Sequence, residues 1–479
     1  MIKRTLLAIF LALLVLAVAC GDSGQPPTRR AAPGPSPSPS PTLGPAPPPV
    51  ELARPATVAQ PSGQPVPTTS IRPFSGPGKR PDGWFKGPFR VALSVSPFDQ
   101  LSVNAGTFSD GKRTARNVVE LEQMFIAHGG NEIFSRATTE RNHSIGIDQS
   151  LSATLARARM ARSMQMPFNP EFQLNGLYGD LTCQPAANFT SYPSISNPGP
   201  WHTLTINQMV GVMREYGAFV AREIRATGVE VNMWDVGNEV DFGVAGVAPR
   251  PYTGTCEEYT YQPPDNVDPA IKEESVDSLI LKGEAYQIQW LTQHVWPHEA
   301  RLLSAFADGV RSVFPEARFS THIAISGSAT FAIAFWDAMR GNGYVVDEMG
   351  FSYYPTASSA NSLERFQNTV TALRRAHGKK IFIAEYSFAA AEMGPEAGFF
   401  SEWDQPQPGY PISEKGQADF LRDLTAWGVR NGISGIRPWA PEFYDGLWGP
   451  MSLFRKNAAG NAEARPAIDA MLEGLQTKQ

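Results

Sequence analysis

The 479-residue chain has little cysteine: three residues, at positions 20, 183 and 256. So few rule out a disulfide-built scaffold, and no cysteine or histidine spacing matches a zinc motif. Long apolar runs are scarce too. The longest at the N-terminus, Leu6–Val18, has 13 residues, short of the ~20 that span a bilayer, and a mean hydropathy of −0.24 excludes a polytopic membrane protein. Basic charge is in deficit. Residues 81–479 carry 33 basic and 44 acidic side chains, a net of −11, so nucleic acid is not an expected partner. No Gly-rich phosphate loop follows the first strand-like run, and there is no internal repeat.

What is present starts with an address. Lys3 and Arg4 precede the apolar run, and Leu16-Ala-Val-Ala-Cys20 follows it with small residues before a cysteine. Residues 1–20 therefore read as a signal peptide ending in a lipobox, with Cys20 acylated as the mature N-terminus; an ordinary cleaved signal is the alternative. Residues 21–80 hold 17 of the 42 prolines, many as Pro-Ser repeats, and read as a disordered, semi-rigid linker. The expected location is extracytoplasmic, lipid-anchored to a bacterial envelope, with the folded domain, a monomer, beginning near Pro81. In that oxidising setting Cys183 and Cys256 are expected to pair, two free thiols or a metal site being the alternatives.

From 81 to 479 strand-like runs alternate with helical periodicity. The strands are expected at 90–96, 132–136, 172–177, 231–236, 318–323, 348–352, 380–384 and 435–439. Between them the apolar spacing predicts helices over 115–127, 151–164, 206–226, 363–376 and 416–429. Eight such units predict an α/β fold, a (β/α)8 TIM barrel, with 241–284 inserted at its mouth. Active sites of such barrels lie at the C-terminal ends of the strands. The fourth run ends in Asn238-Glu239 and the seventh in Glu385, which brings two carboxylates to one rim. Retaining glycoside hydrolysis uses such a pair, one protonated and one ionised.

The sequence resembles clan A of the glycoside hydrolases and, within it, family 53, the endo-β-1,4-galactanases. The resemblance is carried by Asp235-Val-Gly-Asn-Glu239, Met349-Gly-Phe-Ser-Tyr-Tyr-Pro355, Lys379-Lys-Ile-Phe-Ile-Ala-Glu385, Ser413-Glu-Lys-Gly-Gln-Ala-Asp-Phe420 and Gly435-Ile-Arg-Pro-Trp-Ala-Pro441. It implies a retaining endo-glycosidase acting on a neutral plant-type polysaccharide, β-1,4-galactan, without a cofactor. A structural calcium would need a ligand cluster that the sequence does not display. Glu239 would be the acid/base, Glu385 the nucleophile, and Asn238 the partner of the sugar 2-hydroxyl. Arg136 would hold Glu385 ionised, or be an ordinary barrel ion pair. One of Tyr353 and Tyr354 would bond Glu385 while the other packs outward. Trp439 would be a sugar platform or a core cap, and His322 a subsite residue or a satisfied rim histidine. Asp180 matches an acidic position after strand three or is a helix cap; Trp201 stacks on glycan or covers the barrel top.

Three departures from the family pattern concern the sugar subsites. Its strand-three histidine is matched by Leu177, the strand-two pattern reads Phe134-Ser-Arg136 without a following tryptophan, and Asp241-Phe-Gly replaces a Trp-Pro loop. The rivals are thus a clan A activity on xylan, mannan or arabinan, and a non-catalytic glycan-binding lipoprotein.

Overall fold

The computed structural model describes residues 81–97, 106–142, 149–253 and 261–477. The expected signal peptide with Cys20, the linker 21–80 and Cys256 lie outside them. Twelve strands occur among the described residues: β1 (Arg90–Val91), β2 (Phe108–Ser109), β3 (Thr114–Ala115), β4 (Ile133–Ala137), β5 (Phe168–Phe172), β6 (Trp234–Val236), β7 (Phe319–Ile323), β8 (Glu348–Tyr353), β9 (Lys380–Tyr386), β10 (Ile433–Pro438), β11 (Phe454–Lys456) and β12 (Ala462–Ala464). Eight form a parallel sheet in the order β1-β10-β9-β8-β7-β6-β5-β4. Its two ends meet where Asn131 N–H donates to the Val91 carbonyl at 3.0 Å, Asn131 Oδ1 accepts the Val91 N–H at 2.9 Å, and Ser94 Oγ accepts the Phe134 N–H at 3.1 Å. The sheet is thereby curled into the expected (β/α)8 barrel.

The helices follow from local signals and pack apolar faces on the strands. Ile206–Thr227 starts at a Thr205/Gln208 capping box and stops at left-handed Gly228 (φ 70°). Its buried row, including Met209, Val212, Met213, Tyr216, Val220 and Ile224, contributes about 1.5–3 kcal/mol per fully buried large apolar side chain. It crosses helix Trp296–Arg311 at Gly217 and Gly309, where an added Cβ would strike the Phe306 and Arg214 carbonyls. Gly217→Val would force this pair apart.

Strand three is displaced from its expected place: β5 spans Phe168–Phe172, not 172–177. Asn169, Pro170 and Glu171 read as a turn, but all five residues are buried, Pro170 sits in register with Ser135 of β4, and the pleat turns Asn169 and Glu171 into the barrel. Gln173, and not Leu177, follows the strand end. A second small sheet, β11-β12-β2-β3, ties residues 108–115 to 454–464; strands of two or three residues have too little pattern to be read in advance.

The barrel interior is polar. Arg90 bonds Glu132 (2.9 Å), Glu348 (3.0 Å) and Asn169 (2.6 Å) at the floor. Above it Arg437 bonds Asn169 (3.0 Å), Asp235 (2.8 Å) and Glu171 (2.6 Å). Each guanidinium also lies on a ring, Arg90 over Phe382 at 3.7 Å and Arg437 over Phe134 at 3.6 Å. These contacts compensate buried charge that would otherwise cost several kcal/mol per ion.

Candidate active site

Glu385 sits on β9, where Ile381 and Ile383 join the strand–helix core and Phe382 and Ala384 face inward. Regular alternation would send Glu385 outward. A register shift against β8, from Phe351↔Ile383 to Ser352↔Glu385, resets the phase. Glu385 therefore follows Ala384 into the barrel, and Tyr386 packs outward on Phe420 at 6.4 Å. Glu385 is only 3% exposed. Its Oε1 pairs with the Arg136 guanidinium, and its Oε2 accepts the Tyr354 hydroxyl at 2.5 Å. Arg136 is in turn held by Glu171 at 2.5 Å and lies 4.1 Å from the Trp439 ring centroid. Burial pushes the Glu171 carboxyl up to about 7, against the pull of Arg136 and Arg437.

Glu239 is held in a different way. It stands three residues beyond β6, after Gly237 (φ 83°), and its own backbone is left-handed (φ 47°, ψ 57°). For a side-chain-bearing residue this costs about 1–2 kcal/mol, so neighbours must fix it. Gln184 Nε2 donates to the carbonyls of Asn238 and Glu239 at 3.0 and 3.2 Å. In the turn Val240–Phe242, Asp241 accepts the Ala324 and Ile325 N–H groups, each at 2.8 Å, while its carbonyl accepts Trp296 Nε1–H at 3.0 Å. The Glu239 carboxyl accepts the Leu181 N–H at 3.3 Å and has Ser352 beside it. Burial first, then the charges of Glu385, Asp180 and Asp241, raise its pKa well above the usual carboxylate range.

Asn238 is fully buried; its Nδ2 donates to the Gly179 carbonyl at 2.7 Å, and its Oδ1 is 2.9 Å from His322 Nε2. Burial, with Arg136 and Arg437 nearby, pushes the His322 pKa well down. The imidazole is then neutral, with its proton on the nitrogen that faces the Asn238 oxygen. An added Cβ on Gly350 would collide with His322, so glycine is what lets the ring lie against β8.

The structure thus gathers Arg136, Asn238, Glu239, His322, Tyr354, Glu385 and Trp439 at one end of the barrel. Tyr353 points away and stacks on Phe366, centroids 4.0 Å apart at 11°. Trp201 is a core residue and not a presented platform: it is 6% exposed, donates Nε1–H to the Ala245 carbonyl at 2.6 Å, and packs on Phe189. Asp180 lies in a loop well past β5, where it accepts the Thr182 N–H and hydroxyl at 2.8 and 2.7 Å. Its charge still reaches Glu239 and Glu385. Cys183 is buried in the same loop. Glu171, Arg437, Gln184, Asp241 and Tyr178, which faces both glutamates and Arg136, were not singled out from the sequence. Arg437 carried a usable signal, a charged residue inside the apolar run Ile433–Pro438. Among the described residues no cluster of three or more His, Cys, Asp or Glu side chains is arranged to hold a metal.

Two carboxylates brought from the fourth and seventh strands of a (β/α)8 barrel to the same rim make this chain a glycoside hydrolase. It belongs to glycosyl hydrolase family 53, whose model matches residues 104–465. The probable arabinogalactan endo-beta-1,4-galactanase A of Aspergillus niger is 33% identical over 327 residues, 68% of this chain and 78% of that protein. A Niallia circulans protein described as an uncharacterized protein in the bgaB 5′ region is 23% identical over 384 residues, 76% of this chain and 90% of that one. The GH53 catalytic domain of Ignisphaera aggregans shares the fold with a TM-score of 0.58 at 19% identity, over 80% of this chain and 96% of that one. A fungal beta-1,4-galactanase structure does so at 0.56 and 16%, over 79% and 98%.

Proposed function

We propose that the protein is a retaining endo-glycosidase that cleaves β-1,4-linked galactan by double displacement. The observation that carries this reading is the contrast between the two carboxyls. Glu239 is in surroundings that keep its proton, and Glu385 accepts hydrogen bonds from a guanidinium and a phenol. In the first step Glu385 attacks the anomeric carbon, the glycosidic C–O bond breaks, and Glu239 gives its proton to the leaving oxygen. In the second, Glu239 takes a proton from water as that water displaces Glu385 from the glycosyl-enzyme. The second N–H of the Asn238 amide is the donor for the sugar 2-hydroxyl, and Trp439 supplies a ring beside Arg136 for the bound sugar.

Galactan as substrate is supported by the galactanases among the relatives. A second reading, another neutral glycan such as xylan, mannan or arabinan, is favoured by the Asp241 turn, where the chain departs from the family pattern. Reducing-end release from potato-type galactan by the wild type but not by Glu385→Gln is the expected result. Release from xylan, mannan or arabinan instead would replace the substrate, and binding without turnover on all four would revive a glycan-binding role. Attachment through Cys20, display outside the cell on the 21–80 linker, a Cys183–Cys256 disulfide and a monomeric state belong to the same proposal. Incorporation of labelled palmitate that is lost in Cys20→Ser is the direct test of the anchor.

A further inference from the structure

We propose that Asp241 is the positioning residue of Glu239: it locks the turn that carries this glutamate to the loop after β7. The inference rests on the reading of Glu239 as acid/base. Asp241 is fully buried, and each of its three oxygens accepts a hydrogen bond at that junction. Oδ1 and Oδ2 each take one backbone N–H, from Ile325 and Ala324 at 2.8 Å, and its carbonyl takes Trp296 Nε1–H at 3.0 Å. Two residues earlier, Glu239 holds a left-handed backbone that no side-chain cap secures. The same loop after β7 begins just beyond His322, which meets Asn238. The residue pair Asn238-Glu239 is therefore pinned to β7 from both sides, by His322 before and Asp241 after. Both Asp241 carboxylate oxygens are bonded to backbone donors of the loop after β7, and Asp241 acts on Glu239 through geometry and charge.

The groups facing Glu239 are Glu385 on β9, Asp180 and Tyr178 on the loop after β5, Tyr354 beyond β8, and Asp241 on its own turn. Behind Asp241 lies Glu299 of helix Trp296–Arg311, also fully buried, whose carboxyl burial and Asp241 together drive toward the protonated form. Glu299 thus serves as a control for the same pocket, since Glu299→Gln replaces a protonated acid by an amide of the same shape.

The variant to make is Asp241→Asn, whose amide can accept only one of the two N–H groups. In the intact protein, turnover of galactan should fall by about ten- to a hundredfold, while a 2,4-dinitrophenyl β-galactobioside, whose leaving group needs no proton, loses less than about threefold in its glycosylation step. In the same variant the Glu239 carboxyl, followed by 13C-glutamate NMR and assigned with Glu239→Gln, should titrate at lower pH. Glu299→Gln should leave both readouts unchanged. Equal losses on the two substrates, with an unmoved Glu239 titration and a lowered melting temperature, would overturn the proposal in favour of a merely structural Asp241. If the wild type cleaves neither substrate, the substrate reading fails, and the titration alone decides on Asp241.

Discussion

Glu239 and Glu385 are the same residue at the same rim, and the barrel treats them in opposite ways. Glu385 lies on a strand, with Arg136 and Tyr354 donating to it. Glu239 lies on a left-handed turn beyond a strand and faces three acids, Glu385, Asp180 and Asp241. The lesson is that chemical role is set by the surrounding donors and charges and not by residue type: a guanidinium and a phenol donate to one carboxyl, and burial among acids favours the neutral form of the other.

The sharpest way to break the contrast is to remove the member that Arg136 and Tyr354 hold. Glu385→Gln should lower turnover by more than about 10⁴-fold, measured as reducing ends, because the proposed double displacement assigns the covalent step to this carboxylate. Glu239→Ala should cost less, about 10²–10⁴-fold, and azide should restore activity on a substrate with a good leaving group while yielding a β-glycosyl azide. The wild type should lose kcat/KM as pH rises through the raised Glu239 value. The proposed mechanism uses protonated Glu239, so a raised pKa would extend the active range upward. A basic limb that stays in place in Asp180→Asn would remove that acid from the account.

Tyr354→Phe should reduce kcat by about ten- to a hundredfold, the worth of one hydrogen bond to a charged oxygen, with little change in KM. Tyr353→Phe should leave kcat untouched, because that ring packs on Phe366 outside the barrel.

The smallest effect tests burial away from the site. Glu122 accepts from Ser94 Oγ at 2.7 Å and the Val95 N–H at 2.9 Å, with Arg157 at 3.3 Å. Burial nevertheless pushes its carboxyl up to about 7. A carboxyl whose folded pKa exceeds its unfolded value binds more protons when folded, so it draws stability down as pH rises from about 4.5 to about 7. Glu122→Gln should flatten urea-unfolding stability across that window by roughly 3 kcal/mol, and an unchanged slope would place the pH dependence on Glu171 and Asp241 instead.

Much of this site was legible residue by residue. The apolar runs before Asn238-Glu239 and Glu385 announced strands with carboxylates at their ends, and both reach the barrel mouth. Arg136 pairs with Glu385, one of the two readings open to it. Of the two tyrosines, only alternation was legible, and packing selected Tyr354. Glu171 was hidden because its strand contains Asn169 and Pro170, residues that no strand pattern favours. They are tolerated there because Arg90 and Arg437 complete the polar interior. Trp201 shows the converse: an aromatic in a loop reads equally well as platform or as core, and the Ala245 carbonyl and Phe189 decide for core.

The sequence by itself determined the order of strands and helices, the rim to which two glutamates are brought, and the family. These depend on periodicity, on caps such as Thr205 and Gly228, and on short motifs, all properties of neighbouring residues. Only the tertiary structure decided which glutamate meets a cation and which meets acids, that a bulge at Ala384 turns Glu385 inward, and that Asp241 ties the turn after Glu239 to the loop after β7. Those outcomes depend on groups brought together from distant parts of the chain, such as Arg136 and Glu385, 249 positions apart. Electrostatic energies in a desolvated interior are set by such distances in space, which no local pattern encodes.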